Sequence, residues 1–296
     1  MYKFNIQKHE TGFYHVTPTP SEQDLNKFYA EEYYQECKNS SYNKEYDSEE
    51  KEYFFNRGLI TETIVNSAIT PKEKTLLDVG CGEGFFLDYF AKKDWLVQGC
   101  DFSSYGIQKQ NPSLMPSFTQ GNLFDILQSL SQAEKTYDLI NLAHVLEHAS
   151  HPMESLLLIK QIMHQSSLLR IVVPNDYSNL QKLLLAKGHI DHETWFTPPA
   201  HLNYFTFVSL KKFLSQEFDI VTILADFPVE LYLFNENSNY WKDRNKGKKA
   251  HKARIEIDNF LVSQGTEKYI RYMETAADCN FGRSITAFVK NKTNKT

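Results

Sequence analysis

Short apolar runs recur along the middle of this chain, and segments with helical spacing separate them. Runs near 75–79, 96–101, 117–120, 137–142 and 168–173 read as five strands. Phe85–Phe90 opens a helix directly after the first run. A second helix begins at Pro152, where proline suits the first turn, and it carries Leu156, Leu157 and Ile159 toward a sheet. Thr206 to Leu214 reads as a further helix, Phe218–Leu224 as a sixth strand and Ser284–Lys290 as a seventh. Alternating strand and helix predict an α/β fold, a Rossmann-like seven-stranded mixed sheet flanked by helices.

The flanks follow other patterns. Residues 1–70 read as an N-terminal extension that lies over the main domain as a lid. Gly12–Val16 predicts a short strand, stopped by Thr17-Pro-Thr-Pro20. Ser21, with Asp24 three residues on, starts a helix on which Phe28, Tyr29, Tyr33 and Tyr34 recur at helical intervals. A polar, tyrosine-rich loop then leads to a second helix from about Glu49 to Ser67. Residues 71–290 form the main domain. An insertion at 226–282 separates strands six and seven on the substrate side, and 291–296 is a polar tail. No internal repeat is visible.

With 296 residues the chain buries a full core. Its net charge of -5, from 32 basic and 37 acidic residues, calls for neither nucleic acid nor an anionic membrane as partner. Cys37, Cys81, Cys100 and Cys279 lack paired metal spacing and suit a reducing compartment. The first ten residues carry no apolar signal core, and no run approaches a membrane span. A cytoplasmic protein is expected, with its oligomeric state open. The 17 Tyr and 21 Phe are rich in the flanks, where they either line a pocket or extend the core.

The chemistry concentrates in Thr75-Leu-Leu-Asp-Val-Gly-Cys-Gly-Glu-Gly84, where a buried strand meets Gly80, Gly82 and Gly84 before a helix. Glycine lets backbone bend sharply and lie against a ligand. The spacing is G-x-G-x-G, neither the dinucleotide G-x-G-x-x-G nor a phosphate loop ending in Gly-Lys-Ser/Thr. Asp78 precedes the first glycine. Asp101 closes the next apolar run and is placed to accept from both hydroxyls of a ribose.

These residues together resemble the signature of class I S-adenosylmethionine-dependent methyltransferases. The resemblance implies S-adenosylmethionine as cofactor, with its methionine portion over Gly80, Gly82 and Gly84 and its carboxylate at the following helix start. Asp78 would hold the loop or reach the methionine ammonium. Phe102 would pack beside the adenine, or serve as a half-buried core ring. Asn122 would face the adenine amino group, or only form a turn; an acid is commoner at that point. After strand four, Leu142 and Ala143 would line the sulfonium region and His144 would point toward the methyl. Glu147 and His148 would stabilise the loop.

The flanks extend the likeness. Phe28–Tyr34, Trp195–Phe205, Phe227–Phe234, and Gly247, His251, Arg254 and Phe281-Gly-Arg283 resemble a bacterial subgroup associated with small metabolites and surface-polysaccharide sugars. Methyl transfer to a small hydroxylated metabolite, a sugar or nucleotide-linked sugar, is thus implied, with a place in polysaccharide biosynthesis. A hydroxyl acceptor benefits from a base near neutral pKa, which makes His144 and His201 the candidates. Tyr33, Tyr34, Asn203 and Tyr204 would close the pocket or hold the acceptor. The tyrosines at 33 and 34 equally suit helix packing, and His201 equally suits a bond to backbone.

The cluster at 242–254, with seven Lys or Arg against one Asp, would meet phosphates or form a solvated helix face. No metal is expected. His148-x-x-His151 and His189-x-Asp191-His192 each lack a defined ligand set. An RNA methyltransferase and a non-catalytic cofactor-binding scaffold remain as alternatives. Acidic charge argues against the first. The glycines and both cofactor acids argue against the second.

Overall fold

The chain first builds a small hairpin, then a large sheet. The computed structural model describes residues 4–21, 24, 25, 28 and 45–292. Strands β1 (Asn5–Lys8) and β2 (Tyr14–Thr17) pair antiparallel. Helix α1 (Ser48–Ala68) follows. It starts at a reciprocal cap in which the Asp47 side chain accepts from the Glu50 amide and Glu50 accepts from the Asp47 amide.

The alternating unit comes next. It runs β3 (Thr75–Val79), α2 (Phe85–Ala91), β4 (Leu96–Asp101), α3 (Tyr105–Gln110), β5 (Phe118–Gln120), α4 (Leu123–Gln132) and β6 (Tyr137–Ala143). It continues with α5 (Pro152–Gln161), β7 (Met163–Pro174), α6 (Asn179–Ala186), β8 (Asn203–Tyr204), α7 (Phe207–Leu214) and β9 (Phe218–Ala225). Helices α8 (Gly247–Ser263) and α9 (Thr266–Asp278) fill the insertion before β10 (Ser284–Asn291).

The large sheet has the order β5-β4-β3-β6-β7-β10-β9. Its first five strands are parallel, and β10 runs antiparallel to both β7 and β9. The expected seven-stranded mixed sheet is present. Its strands read as continuous apolar runs because both faces are covered. Leu77, Ile140 and Ile171 face one core, closed by α4, α5 and α7. Leu76, Leu139 and Leu168 face the other, closed by α1, α2 and α9. Among the described residues no helix is long and apolar enough to cross a membrane.

One strand departs from its sequence pattern. β7 starts five residues before the apolar run at 168. His164-Gln-Ser-Ser167 reads as polar loop, but the Ser167 hydroxyl donates to the Tyr137 carbonyl at 2.6 Å and holds this segment against β6. The register shifts there, between Tyr137 and Leu139.

Two attachments shape the site. β8 adds to β2, so the N-terminal hairpin and the 195–205 segment share a third core that contains Val16, Tyr177, Trp195, Leu202 and Tyr204. Helices α1 and α8 are joined by Asn56 Nδ2 donating to Asn259 Oδ1 at 3.0 Å, and by an ion pair between Arg57 and buried Asp258.

Gly58 sets how close α1 comes to α2. A Cβ there would lie 2.2 Å from Cγ of buried Tyr89. Propensity alone favours Ala over Gly in a helix by about 1 kcal/mol. The ring contact reverses that sign, because a packed core cannot absorb the added atom without strain. Gly58→Ala is therefore expected to lose roughly 1–3 kcal/mol in a urea titration. A variant as stable as wild type would contradict this packing.

Candidate active site

The β3–α2 turn forms the floor. Gly80 and Cys81 both donate to the Cys100 carbonyl, at 2.8 and 3.0 Å, which folds the turn onto β4. Gly80 has φ +76, and a Cβ there would meet Val145 Cγ2 at 2.5 Å. Gly82 has φ +53 and faces open space, with nothing within 4 Å of its missing Cβ. At the end of β4, Asp101 accepts from the Gly82 amide through Oδ2 and from the Ser103 amide through Oδ1, both at 3.0 Å. Each oxygen retains a further lone pair for a hydroxyl donor. Burial raises the Asp101 pKa against the pull of these amides.

A polar row crosses three neighbouring strands beneath the turn. Asp78, Asn141 and Arg170 are register partners on β3, β6 and β7. Asn141 Nδ2 donates to Asp78 Oδ1 and Arg170 Nη1 donates to Asn141 Oδ1, each at 2.6 Å. Burial pushes the Asp78 carboxyl up to about 7, although the Asn141 bond and the Arg170 charge pull the other way. The Arg170 guanidinium is brought down to about 10 by burial and by the charge of Arg57.

Two hollows open beside this turn, one lined by Gly80 and the other by Val145. The larger, of about 370 Å³, is bounded by Gly80, Phe85 and Phe86, by Tyr53, Phe54 and Arg57 of α1, and by Arg170, Arg254 and His144. The smaller, of about 250 Å³, is bounded by Phe102, Asn122, Leu123, Phe124 and Val145. The guanidiniums of Arg57 and Arg254 sit 4.6 and 5.0 Å from the Tyr53 ring centre. The larger hollow therefore has a cationic wall.

His144 follows β6 with φ +57, a left-handed conformation that is strained for histidine. Its amide donates to the Val172 carbonyl at 2.9 Å. Its half-exposed ring places Nδ1 3.2 Å from Oε1 of Glu147, which is 1% exposed. Burial would raise the Glu147 pKa, but the hydrogen bond and charge of His144 and the charge of His148 outweigh it and hold the carboxyl ionised. An ionised carboxylate only accepts, so the neutral form of the imidazole that suits it carries its proton on Nδ1 and its lone pair on Nε2.

The family described as a methyltransferase domain matches residues 51–221. This chain belongs to that family. Solved structures of similar fold include the plantazolicin methyltransferase BpumL in complex with SAH, with TM-score 0.53, 17% identity and coverage of 90% of this chain and 94% of that one. The plantazolicin methyltransferase BamL, in complex with a triazolic desmethylPZN analog and SAH, gives TM-score 0.52, 15% identity and coverage of 91% and 95%. At such identities the likeness is one of fold. A comparison with curated proteins gives no match. The enzyme is an S-adenosylmethionine-dependent methyltransferase.

The methyltransferase's residues fit that cofactor. An acid with oxygens open to hydroxyl donors, Asp101, ends β4, a glycine cradle that a Cβ at Gly80 would fill lies beside it, and an acid faces the larger hollow at Asp78. Phe102 and Asn122 border the smaller hollow. Asn122 also caps α4, accepting from the Phe124 amide at 2.9 Å, which leaves its side-chain amide group for another partner. Gly84 precedes α2 with φ +79, and Ala143 borders the larger hollow.

Other residues sit elsewhere than the sequence suggests. Leu142 points into the core, because alternation along β6 turns Ala143 to the hollow and its neighbour away. Asn203 and Tyr204 are corrected as acceptor ligands. Asn203 Nδ2 donates to the Leu146 and Ala149 carbonyls at 3.2 and 2.7 Å. The Tyr204 hydroxyl donates to the His201 carbonyl at 2.9 Å and accepts from the Thr197 amide at 3.2 Å. His201 does not border the larger hollow. Burial and the nearby charge of His148 push its pKa down to about 4, too low for an effective base at neutral pH. Tyr33 and Tyr34 lie outside the described residues. Asp191 accepts from Trp241 Nε1 at 2.7 Å on an exposed loop, away from both hollows.

Sequence reasoning missed Arg57, Asn141, Arg170 and Tyr53. Asn141 and Arg170 had a signal, a polar residue inside each of two otherwise apolar strands. Arg57 had none, since its partner Asp258 is 201 positions away.

The Asp78 carboxyl yields a pH test. Between its unfolded pKa near 3.8 and the folded value of about 7, the native state binds the extra proton. Stability should therefore fall as pH rises through that window. Asp78→Asn keeps an acceptor for Asn141 and removes the titration. Thermal melts from about pH 5 to 8 should show the variant gaining on wild type by roughly 1–3 kcal/mol. Parallel curves would show that Asp78 titrates normally.

Proposed function

We propose that this methyltransferase methylates a hydroxyl of a small metabolite, a sugar or nucleotide-linked sugar. The observation that carries this reading is the cationic wall of the larger hollow, where Arg57, Arg170 and Arg254 face the space that His144 enters. Arg170 has a neutral hydrogen-bond partner in Asn141, and among the described residues its buried Nε has none. Asp226 also borders the hollow, but its Oδ1 already accepts from the Arg283 and Ser284 amides, both at 2.7 Å. Arg57 already pairs with Asp258, so a phosphate-bearing acceptor would chiefly meet Arg170 and Arg254, whose planar guanidiniums suit phosphate oxygens.

Asp101 would hold the two ribose hydroxyls, and Phe102 and Asn122 would border the adenine. Gly80, Gly82 and Gly84 would give room to the methionine portion, with Asp78 available to its ammonium. When bound, S-adenosylmethionine supplies an electrophilic methyl group on a positively charged sulfur. His144 Nε2 accepts the proton of the acceptor hydroxyl. Glu147 keeps that ring in place and stabilises the positive charge it gains. Alignment contributes the rest: the rings of Phe54 and Phe85, stacked 4.3 Å apart, form a stiff wall beside the arginines.

Three measurements examine this reading. Asp101→Ala should weaken S-adenosylhomocysteine binding in calorimetry by roughly 1–3 kcal/mol. No binding by folded wild type would eliminate the assignment. Incubation with labelled cofactor and either a metabolite extract or RNA identifies the acceptor by mass spectrometry, and label confined to RNA rejects the small-molecule reading. With the acceptor in hand, His144→Ala should lower kcat by about 10²–10⁴-fold with cofactor affinity kept. Arg254→Ala should chiefly raise KM. A kcat within about threefold of wild type for His144→Ala would leave alignment as the whole mechanism.

A further inference from the structure

A small cavity lies between the large sheet and helices α1 and α9. It measures about 20 Å³, and Arg57, Thr61, Arg170, Tyr269 and Thr286 border it. A space of that size suits one guest about as large as a water molecule. A tetrahedral oxyanion belongs instead in the neighbouring hollow of about 370 Å³, which Arg57, Arg170 and Thr286 also border.

Two donors that line the cavity lack an acceptor. Nε of Arg57 and Nε of Arg170 are both buried, and among the described residues neither has a hydrogen-bond partner. Each guanidinium Nε carries a hydrogen at any ordinary pH. Other atoms of the two side chains are engaged. Arg57 Nη2 pairs with Asp258 and donates to the Tyr269 hydroxyl at 3.1 Å, and Arg170 Nη1 donates to Asn141. Arg170 is 8% exposed, so bulk water does not stand in for the missing partner.

Charge asks for an anion. Arg57 has a carboxylate of its own in Asp258, but Arg170 makes no ion pair among the described residues, because Asn141 stands between it and Asp78. The repulsion from Arg57 acts on Arg170 more strongly than the attraction of Asp78 does. A water molecule could accept from both Nε–H groups, yet it would leave that charge unmet. The walls suit a weakly hydrated ion. The Phe86 ring centre lies 5.1 Å from the Arg170 guanidinium, the Tyr269 ring centre lies 5.5 Å from that of Arg57, and Ile60, Leu224 and Phe288 complete the lining.

We propose that this cavity binds one halide ion, chloride or bromide, through the Nε–H groups of Arg57 and Arg170, with the Thr286 hydroxyl alongside. Arg57 belongs to α1 and Arg170 to β7, so the ion joins an outer helix to the sheet and offsets the repulsion between two like charges. The proposal does not depend on which acceptor the enzyme methylates.

Full-length protein is dialysed into sodium gluconate, and chloride or bromide then replaces gluconate at constant ionic strength, which holds general screening fixed. Either halide should raise the melting temperature along a saturating curve, by about 2 °C or more at about 0.2 M. Arg170→Met keeps an unbranched side chain without the donors and should abolish the response. Thr286→Val keeps the shape and should weaken the apparent halide affinity by about threefold or more. A wild-type melting temperature that does not distinguish halide from gluconate would overturn the site. So would a response that Arg170→Met keeps within about twofold. Should the variants fail to fold, wild-type crystals grown in bromide decide. One anomalous peak beside both Nε atoms would support the site, and an ordered water there would overturn it. Stabilisation by inorganic phosphate with none by chloride would also overturn the halide, while leaving the acceptor reading intact.

Discussion

Hydrogen bonding between Asp78, Asn141 and Arg170 is the constraint on which the active site depends. Each residue interrupts an apolar strand, and each is buried. Such groups are tolerated only where their polar atoms are met, since an unpaired charge in the interior costs several kcal/mol. The three can meet because β3, β6 and β7 stand in one register. A slip of one residue would turn each side chain to the opposite face and leave all three unpaired. Strand pairing and site geometry are therefore specified together. The row also brings a carboxyl below the glycine turn and a guanidinium to the larger hollow.

Much of the fold was legible because two-sided burial writes itself as uninterrupted apolar runs. The glycine turn was legible because no other residue tolerates the backbone at Gly80 beside Val145. The start of β7 was hidden, since Ser167 belongs to the sheet through a hydroxyl rather than through hydrophobicity. Asn203 and Tyr204 were misread for a related reason. Polar residues in a loop suggest ligand contact, yet here they satisfy the backbone of neighbouring turns. The sequence motif showed His144, and it left Glu147 as a loop residue. Only burial shows that this carboxylate orients the ring.

His144 illustrates how the chain uses strain. A histidine in the left-handed region costs energy that folding must offset elsewhere. The bond from its amide to β7 and the grip of Glu147 on its ring hold it there. A relaxed backbone would carry the ring away from the hollow, so the role proposed for His144 depends on the rigidity of the 144–149 turn.

Two of the three arginines of the cationic wall stand apart from the sheet, which supplies only Arg170. Arg57 and Arg254 belong to α1 and α8, and those two helices grip one another through Asn56, Asn259 and Asp258. Neither helix contributes to the glycine turn or to Asp101. Descendants of this enzyme could thus diverge in what they modify through substitutions on two outer helices, while inheriting the methyl-donor apparatus unchanged. Paralogues with new acceptors would need no second invention of the chemistry.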